Sequence, residues 1–146
     1  MDKLAPEPQA PTFQPQKDWP VLVVDDDSET LTISRIALSD YHFRGRGLEI
    51  LEARSVLEAL AIMTERRDIA VILLDVVMET EQAGLALIET IRNQLGNHQI
   101  RIVLRTGETH FNLRQLIHQF DINDFHHKTE ITAERLEIII TAALRG

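Results

Sequence analysis

An uninterrupted apolar run that ends on a carboxylate constrains the fold of this chain more than any other feature. Residues 69–74 carry no polar side chain, and Asp75 follows them directly. A strand covered on both faces is typical of such a run, and six residues are short for a helix. Ligands of open α/β sheets bind just outside the carboxyl ends of the strands. A lone Asp there is more often a cap or turn residue, so its meaning depends on the other strands.

Four more strands are predicted, and each is followed by a helical pattern. Residues 21–24 form a second apolar run, which ends on three consecutive aspartates. The remaining strands are predicted over residues 48–53, 100–104 and 122–127. The helices are predicted over residues 28–40, from 55 onward with a Ser55–Glu58 capping box, and over 84–95, 109–120 and 130–144.

This alternation predicts an α/β protein with parallel strands, right-handed crossovers and helices on both faces of the sheet. We expect a flavodoxin-like doubly wound (βα)5 fold with five strands in the order 2-1-3-4-5. The folded domain is predicted over residues 21–146. Residues 1–20 hold all five prolines and few apolar side chains, which predicts a flexible tail in which Trp19 docks on the domain edge.

Composition excludes several classes of function. The net charge of −8 disfavours nucleic acid or an anionic membrane as a direct partner. The chain has no cysteine, which excludes a disulfide framework, a thiolate zinc site and a thiol nucleophile and fits a cytoplasmic location. No apolar run approaches the roughly 20 residues of a membrane span.

Side-chain orientation can be predicted for the first helix and the fourth strand. We expect Asp27 to cap the first helix and Arg105 to face away from Thr106 and pair with a surface acid. On the first helix, the residues predicted to face the core are Leu31, Ile36 and Leu38. The residues predicted to face water are Thr30, Ser34 and Arg35.

The predicted carboxyl ends of the strands carry a set of polar residues. In chain order these are Asp25 and Asp26, Asp75, Thr106 and Lys128. The first and third strands are neighbours in the predicted order, so three carboxylates converge on one edge. Three uncompensated anions are too costly without a cation between them, and oxygen ligands with room for water favour Mg²⁺.

Such a site suits the acceptance of a phosphoryl group. Asp75 would act as the nucleophile and form an acyl phosphate, while Lys128 neutralises charge on the transferring oxygens and Thr106 donates a hydrogen bond to one of them. Gly107 leaves room for a donor. The chain has no Gly-rich phosphate cradle, so we expect no bound ATP donor.

Residues 21–146 resemble the receiver domain of two-component response regulators. The resemblance rests on Val23-Val24-Asp25-Asp26, Leu73-Leu74-Asp75-Val76-Val77-Met78, Thr106-Gly107 and Lys128. It implies phosphotransfer from a sensor histidine kinase to Asp75, in a domain that catalyses its own phosphorylation and dephosphorylation and serves mainly as a signalling switch.

The resemblance also assigns ligands and switch residues. Asp26, Asp75 and the Val77 carbonyl would bind Mg²⁺ directly, with Asp25 acting through water. Phe125 occupies the switch aromatic position, where its ring would couple to Thr106 and remodel the face formed by helix 4, strand 5 and helix 5. An apolar side chain at Val77 cannot position a water molecule, so we expect slow loss of the phosphoryl group.

The sequence departs from the family pattern after the third and fifth strands. Glu79 and Thr129 replace two usual prolines, and the loop that leads to Gly84 is one residue longer than is common. A cis peptide before a non-proline residue costs about 2.5–4 kcal/mol, so Lys128–Thr129 is expected to be trans or strained. These features resemble receivers at the front of longer regulators, whose C-terminal output domains are often cyclic-dinucleotide phosphodiesterases or other signalling enzymes.

Two other functions stay open at this point. The replaced prolines suit a degenerate receiver that serves as a phosphorylation-independent interaction module. A freestanding Mg²⁺-dependent phosphatase with an aspartyl nucleophile is the third reading. The last helix carries extra apolar residues, Ile138 and Ala142, that could form a homodimer face, although burial in the fold explains most of its apolar positions.

Overall fold

The computed structural model describes residues 17–76, 78, 83–107 and 113–146, and their fold is the predicted one. Five parallel strands form one sheet in the order β2-β1-β3-β4-β5. The strands are β1 (Trp19–Val24), β2 (Leu48–Ala53), β3 (Val71–Leu74), β4 (Arg101–Thr106) and β5 (Asp124–His127). The helices are α1 (Ser28–Ala37), α2 (Val56–Glu65), α3 (Ala83–Glu89), α4 (Leu113–Phe120) and α5 (Ala133–Arg145).

The sheet is covered on both faces by separate apolar layers. One layer packs alternate strand residues such as Leu22, Ile72 and Leu104 against α2, α3 and their neighbours. The other packs residues such as Leu73 and Val103 against α1 and α5. Double coverage explains why β1 and β3 are continuous apolar runs rather than alternating ones.

The first strand begins two residues earlier than predicted. Trp19 is its first residue, and the indole Nε1 donates a hydrogen bond of 3.0 Å to the Phe43 carbonyl oxygen. The Arg46 guanidinium lies 3.6 Å from the centre of the Trp19 ring, which is a cation–π contact. Trp19 therefore docks on the domain edge as predicted. Residues 1–16, which make up most of the predicted tail, lie outside the described residues.

Helix starts follow capping chemistry that the sequence largely reveals. Asp27 accepts a hydrogen bond from the Glu29 amide, and Ser55 accepts one from the Glu58 amide, so both predicted N-caps are confirmed. The last helix begins at Ala133, three residues later than predicted, because Lys128–Glu130 form a 3₁₀ turn and Thr132 is the cap. Its predicted inward residues, which are Leu136, Ile139, Ile140 and Ala143, are all buried.

The predicted orientation of α1 is wrong at two positions. Ser34 is buried, whereas Ile36 is 66% exposed. The buried positions Leu31, Ser34 and Leu38 follow helical spacing, so one polar residue occupies the inward stripe. The Ser34 hydroxyl donates a 2.8 Å hydrogen bond to the Thr30 carbonyl oxygen, which meets its need for an acceptor inside the helix.

A π-helical turn, Thr90–Gln94, continues α3 and buries Arg92, a feature that sequence reasoning missed. The Arg92 guanidinium donates to the carbonyl oxygens of Asn97, Ile100 and Asp121, at 2.8–3.2 Å. Burial lowers the pKa of Arg92, and these acceptors replace the lost water. The helix thereby joins the segments that precede β4 and β5.

Gly84 allows the start of α3 to touch the end of β3. A Cβ at Gly84 would lie 2.6 Å from the Asp75 carbonyl oxygen and 2.8 Å from that of Val76. Both are backbone atoms, which cannot rotate away. The amide of Gly84 also donates to the Val76 carbonyl oxygen at 3.2 Å. The first turn of α3 is therefore held against the residue that ends the central strand.

We expect Gly84→Ala to lower the free energy of unfolding by about 1–3 kcal/mol, because the new methyl group overlaps backbone atoms. Gly107→Ala is the matched control, since nothing lies within 4 Å of a Cβ at Gly107. Urea unfolding of both variants measures the difference. Equal stability of the two variants would contradict the close approach.

Candidate functional site

Three carboxylates from two neighbouring strands lie together at the carboxyl edge of the sheet. Val24 pairs with Leu74 in the register of β1 and β3, which places Asp25 and Asp75 side by side. Asp25, Asp26 and Asp75 each offer an oxygen, and these oxygens lie within 4.8 Å of one another. Asp25 and Asp75 are buried and Asp26 is exposed, so the cluster opens to water on one side.

Backbone hydrogen bonds fix the two buried aspartates. The amide of Asp25 donates to the Ala53 carbonyl oxygen of β2, and that of Asp75 donates to the Val24 carbonyl oxygen, both at 3.1 Å. One oxygen of Asp25, Oδ1, also accepts a 2.9 Å hydrogen bond from the Asp27 amide. The sheet ladder therefore fixes the main chain of both aspartates, and the Asp27 amide also orients the carboxylate of Asp25.

Lys128 joins the two buried carboxylates. It follows β5 directly, and its Nζ lies 2.7 Å from Asp25 Oδ2 and donates to Asp75 Oδ2 at 2.9 Å. Burial lowers the pKa of Lys128, but the hydrogen bonds to Asp25 and Asp75 outweigh that effect and the pKa is raised. The ammonium is thus charged and acts as the counterion of both acids.

Thr106 lies on β4, and Phe125 lies on β5, the strand that leads to Lys128. Thr106 ends β4, is fully buried and pairs with His127 in the register of β4 and β5. Phe125 pairs with Leu104 and is half-buried against the layer of α2 and α3. Val77, the predicted carbonyl ligand, and Glu79, which replaces a usual proline, lie outside the described residues.

The acid cluster fits a divalent cation. Three carboxylates and one ammonium leave two net negative charges at an edge that is open through Asp26. Oxygen ligands of this kind favour a hard cation, and few carboxylates with open space favour Mg²⁺ over a caged ion. Within the described part of the chain, no other group of three or more histidine or acidic side chains lies close enough to hold a metal.

Arg105 is buried and pairs with no surface acid among the described residues, which contradicts that prediction. The side chain is 5% exposed, and its Nη1 donates a 2.8 Å hydrogen bond to Ser34 Oγ of α1. Burial lowers the pKa of Arg105, and the nearby charges of Asp25 and Asp75 partly oppose that shift. Strand alternation could have revealed the burial, because Arg105 faces the same layer as Val103, which is completely covered.

The peptide that follows the lysine is trans. No cis peptide bond occurs in the described ranges, which include Lys128–Thr129. The residue that replaces the usual proline continues the 3₁₀ turn, and its hydroxyl shares a 2.9 Å hydrogen bond with Nδ1 of His127.

Solved structures share this arrangement of strands and helices. A response regulator receiver domain protein from Clostridium thermocellum is 28% identical and superposes with a TM-score of 0.71 over 87% of this chain and 94% of its own. The signal receiver domain of a putative LuxO repressor protein from Vibrio parahaemolyticus is 20% identical, with a TM-score of 0.72 over 88% and 91%. The fold and the acid edge thus define a CheY-like receiver.

Sequence comparison gives the family. The model of the response regulator receiver domain matches residues 21–141, so the chain belongs to that family, as the resemblance implied. A curated relative, the 3′3′-cGAMP-specific phosphodiesterase 2 of Vibrio cholerae serotype O1, is 43% identical over 143 residues, or 97% of this chain. The chain spans 27% of the length of that relative. No helix in the described ranges is long and apolar enough to cross a membrane.

Replacement of Lys128 by Met is expected to lower the free energy of unfolding by roughly 1–3 kcal/mol, because Asp25 and Asp75 lose their shared counterion. Since the pKa of Lys128 is raised above its ordinary value of 10.5, the contribution persists below that pH and is lost as the pH rises through the raised value. Urea unfolding between pH 7 and pH 11 measures both effects.

The control variant is Arg35→Met, which breaks an exposed ion pair between α1 and Glu52. We expect that change to cost about 1 kcal/mol or less. Both variants are measured without added metal. If Lys128→Met lowers the free energy of unfolding no more than Arg35→Met does, the shared-counterion role is contradicted.

Proposed function

We propose that this domain accepts a phosphoryl group on Asp75 from a sensor histidine kinase. The observation that carries the proposal is the pairing of Asp75 with Lys128 inside a cluster of three carboxylates, in a chain that belongs to the receiver family. The fixed carboxylate would attack phosphorus, so that an oxygen–phosphorus bond forms as the bond to the donor nitrogen breaks.

The residues of the site divide this work between them. Lys128 would hold its ammonium beside the transferring oxygens, and Thr106, buried at the end of β4, would donate a hydrogen bond to one of them. Asp25, Asp26, Asp75 and the Val77 carbonyl would hold Mg²⁺ when it is bound, which supplies the positive charge that the developing phosphoryl oxygens require. Thr106 and Phe125 would then act as the switch that alters the α4-β5-α5 face.

The relative from Vibrio cholerae supports a role at the front of a longer regulator. That protein is named a 3′3′-cGAMP-specific phosphodiesterase, and the match to this chain covers about a quarter of it. We therefore propose that the domain controls a covalently linked output domain C-terminal to it, with a cyclic-dinucleotide phosphodiesterase as the favoured output. A cytoplasmic location and slow loss of the phosphoryl group remain predictions.

Incubation with acetyl phosphate and Mg²⁺ is expected to add one phosphoryl group, about 80 Da by intact mass, because Asp75 is held for attack. Asp75→Asn should abolish the gain, and Asp68→Asn, an exposed aspartate beside Arg66, should retain it. No mass gain in the parent protein would favour the interaction-module alternative. Rapid turnover of small phosphate esters would favour a phosphatase instead.

Magnesium is expected to raise the melting temperature of the parent protein, because it offsets repulsion among the carboxylates. Asp26→Asn should weaken Mg²⁺ binding at least tenfold and remove most of this rise. The neighbouring Asp27→Asn is the control, since Asp27 caps α1 and an asparagine also caps well. Equal Mg²⁺ affinity of the two variants, measured by isothermal titration calorimetry, would refute the ligand assignment.

A further inference from the structure

A second feature of the molecule lies on the face of β4 that α1 covers. Arg105 is 5% exposed there, and its Nη1 donates a hydrogen bond to Ser34 of α1. Its other terminal nitrogen, Nη2, has no hydrogen-bond partner among the residues that the structure describes. A buried charged donor without an acceptor is costly, so this nitrogen is equipped to bind something.

The guanidinium lines a cavity of about 230 Å³ between α1 and the start of α5. Its walls are largely apolar and come from both helices, with Ile33 and Ala37 on one side and Ile131 and Leu136 on the other. The cavity is larger than the roughly 150 Å³ apolar cavity that accepts benzene in an engineered protein. It therefore has room for a molecule with a single ring or a short chain.

The electrostatics of the cavity favour an anion. Arg105 and Lys128 both line it, and none of its described lining residues is acidic. The N-cap of α5, Thr132, and its first residue, Ala133, also line the cavity, so the positive end of a 13-residue helix adjoins it. Lys128 is held by Asp25 and Asp75, which leaves Arg105 Nη2 as the unengaged cationic donor among the described lining residues.

We propose that this cavity binds a small organic anion whose carboxylate or other oxyanion accepts hydrogen bonds from Arg105 Nη2 and whose apolar body packs between α1 and α5. A terminal guanidinium nitrogen carries two N–H groups, which suits an oxyanion rather than a neutral carbonyl. The apolar walls select a ligand with a hydrocarbon body over a free inorganic ion. The cavity shares Lys128 with the acceptor edge, but binding through Arg105 does not require phosphorylation of Asp75.

The test is a titration of the full chain with benzoate in buffer that contains EDTA and no Mg²⁺, followed by NMR of ¹⁵N-labelled arginine side chains and backbone amides. We expect saturable shifts of the Arg105 side chain and of amides in α1 and early α5. Arg105→Met should weaken binding about ten- to hundredfold, because a charge-assisted hydrogen bond is lost. Arg35→Met, which removes an exposed charge from α1, should change it less than twofold.

Three further ligands separate the sources of affinity. Benzamide, the neutral analogue, should bind at least tenfold more weakly than benzoate, and equal affinity would overturn the role of charge. Sulfate tests the apolar walls, and binding as tight as that of benzoate would overturn the proposed ligand class. Phenylphosphonate shows whether the cavity accepts a tetrahedral oxyanion as well as a planar carboxylate. Saturable binding of phenylphosphonate or of benzoate supports the site.

A second variant keeps the proposal testable if Arg105→Met does not fold. Ala37→Leu leaves the guanidinium in place and narrows the cavity, and it should weaken benzoate binding several-fold while the melting temperature stays close to that of the parent protein. Shifts that rise linearly with benzoate, or an unchanged benzoate affinity in Ala37→Leu, would overturn the proposal.

Discussion

The ion pair that Lys128 forms with Asp25 and Asp75 is the interaction on which the rest of the site depends. It joins residues that follow β1, β3 and β5, although β3 and β4 lie between β1 and β5. Two buried carboxylates this close repel each other unless a counterion offsets their charge. The lysine therefore lets the acids coexist before a cation arrives, and Asp26, which is exposed, leaves the cluster open to it.

The fold was predictable from sequence because its main signals are local. Apolar runs at 21–24 and 69–74 report strands that are covered on both faces, and alternation with helices then dictates a parallel sheet. The carboxyl-edge residues follow from the same reasoning, since parallel strands deliver their ends to one side. Ser55 and Asp27 were recognisable as caps, because their hydrogen bonds reach only two or three residues along the chain.

What the sequence concealed depends on contacts between distant residues. Ser34 is buried on the face of α1 that meets the sheet, where Arg105, 71 positions away, donates a hydrogen bond to its hydroxyl, and Ile36 is exposed. Arg92 is buried because its acceptors lie on segments that meet only after folding. Hydropathy predicts that Arg92 and Arg105 are exposed to water. They are buried because carbonyl and hydroxyl oxygens accept their hydrogen bonds inside the fold.

The anchored start of β1 is a suitable place for a fluorescent label. Trp19 is fixed at the amino edge by Phe43 and Arg46, and β1 then runs six residues to the acid cluster, about 20 Å at the rise of a strand. A fluorophore attached at Lys17 would therefore lie beside the anchored end of β1 and far from the acid cluster. Paired with a second dye on α5, it would measure whether α5 moves relative to that end of the sheet.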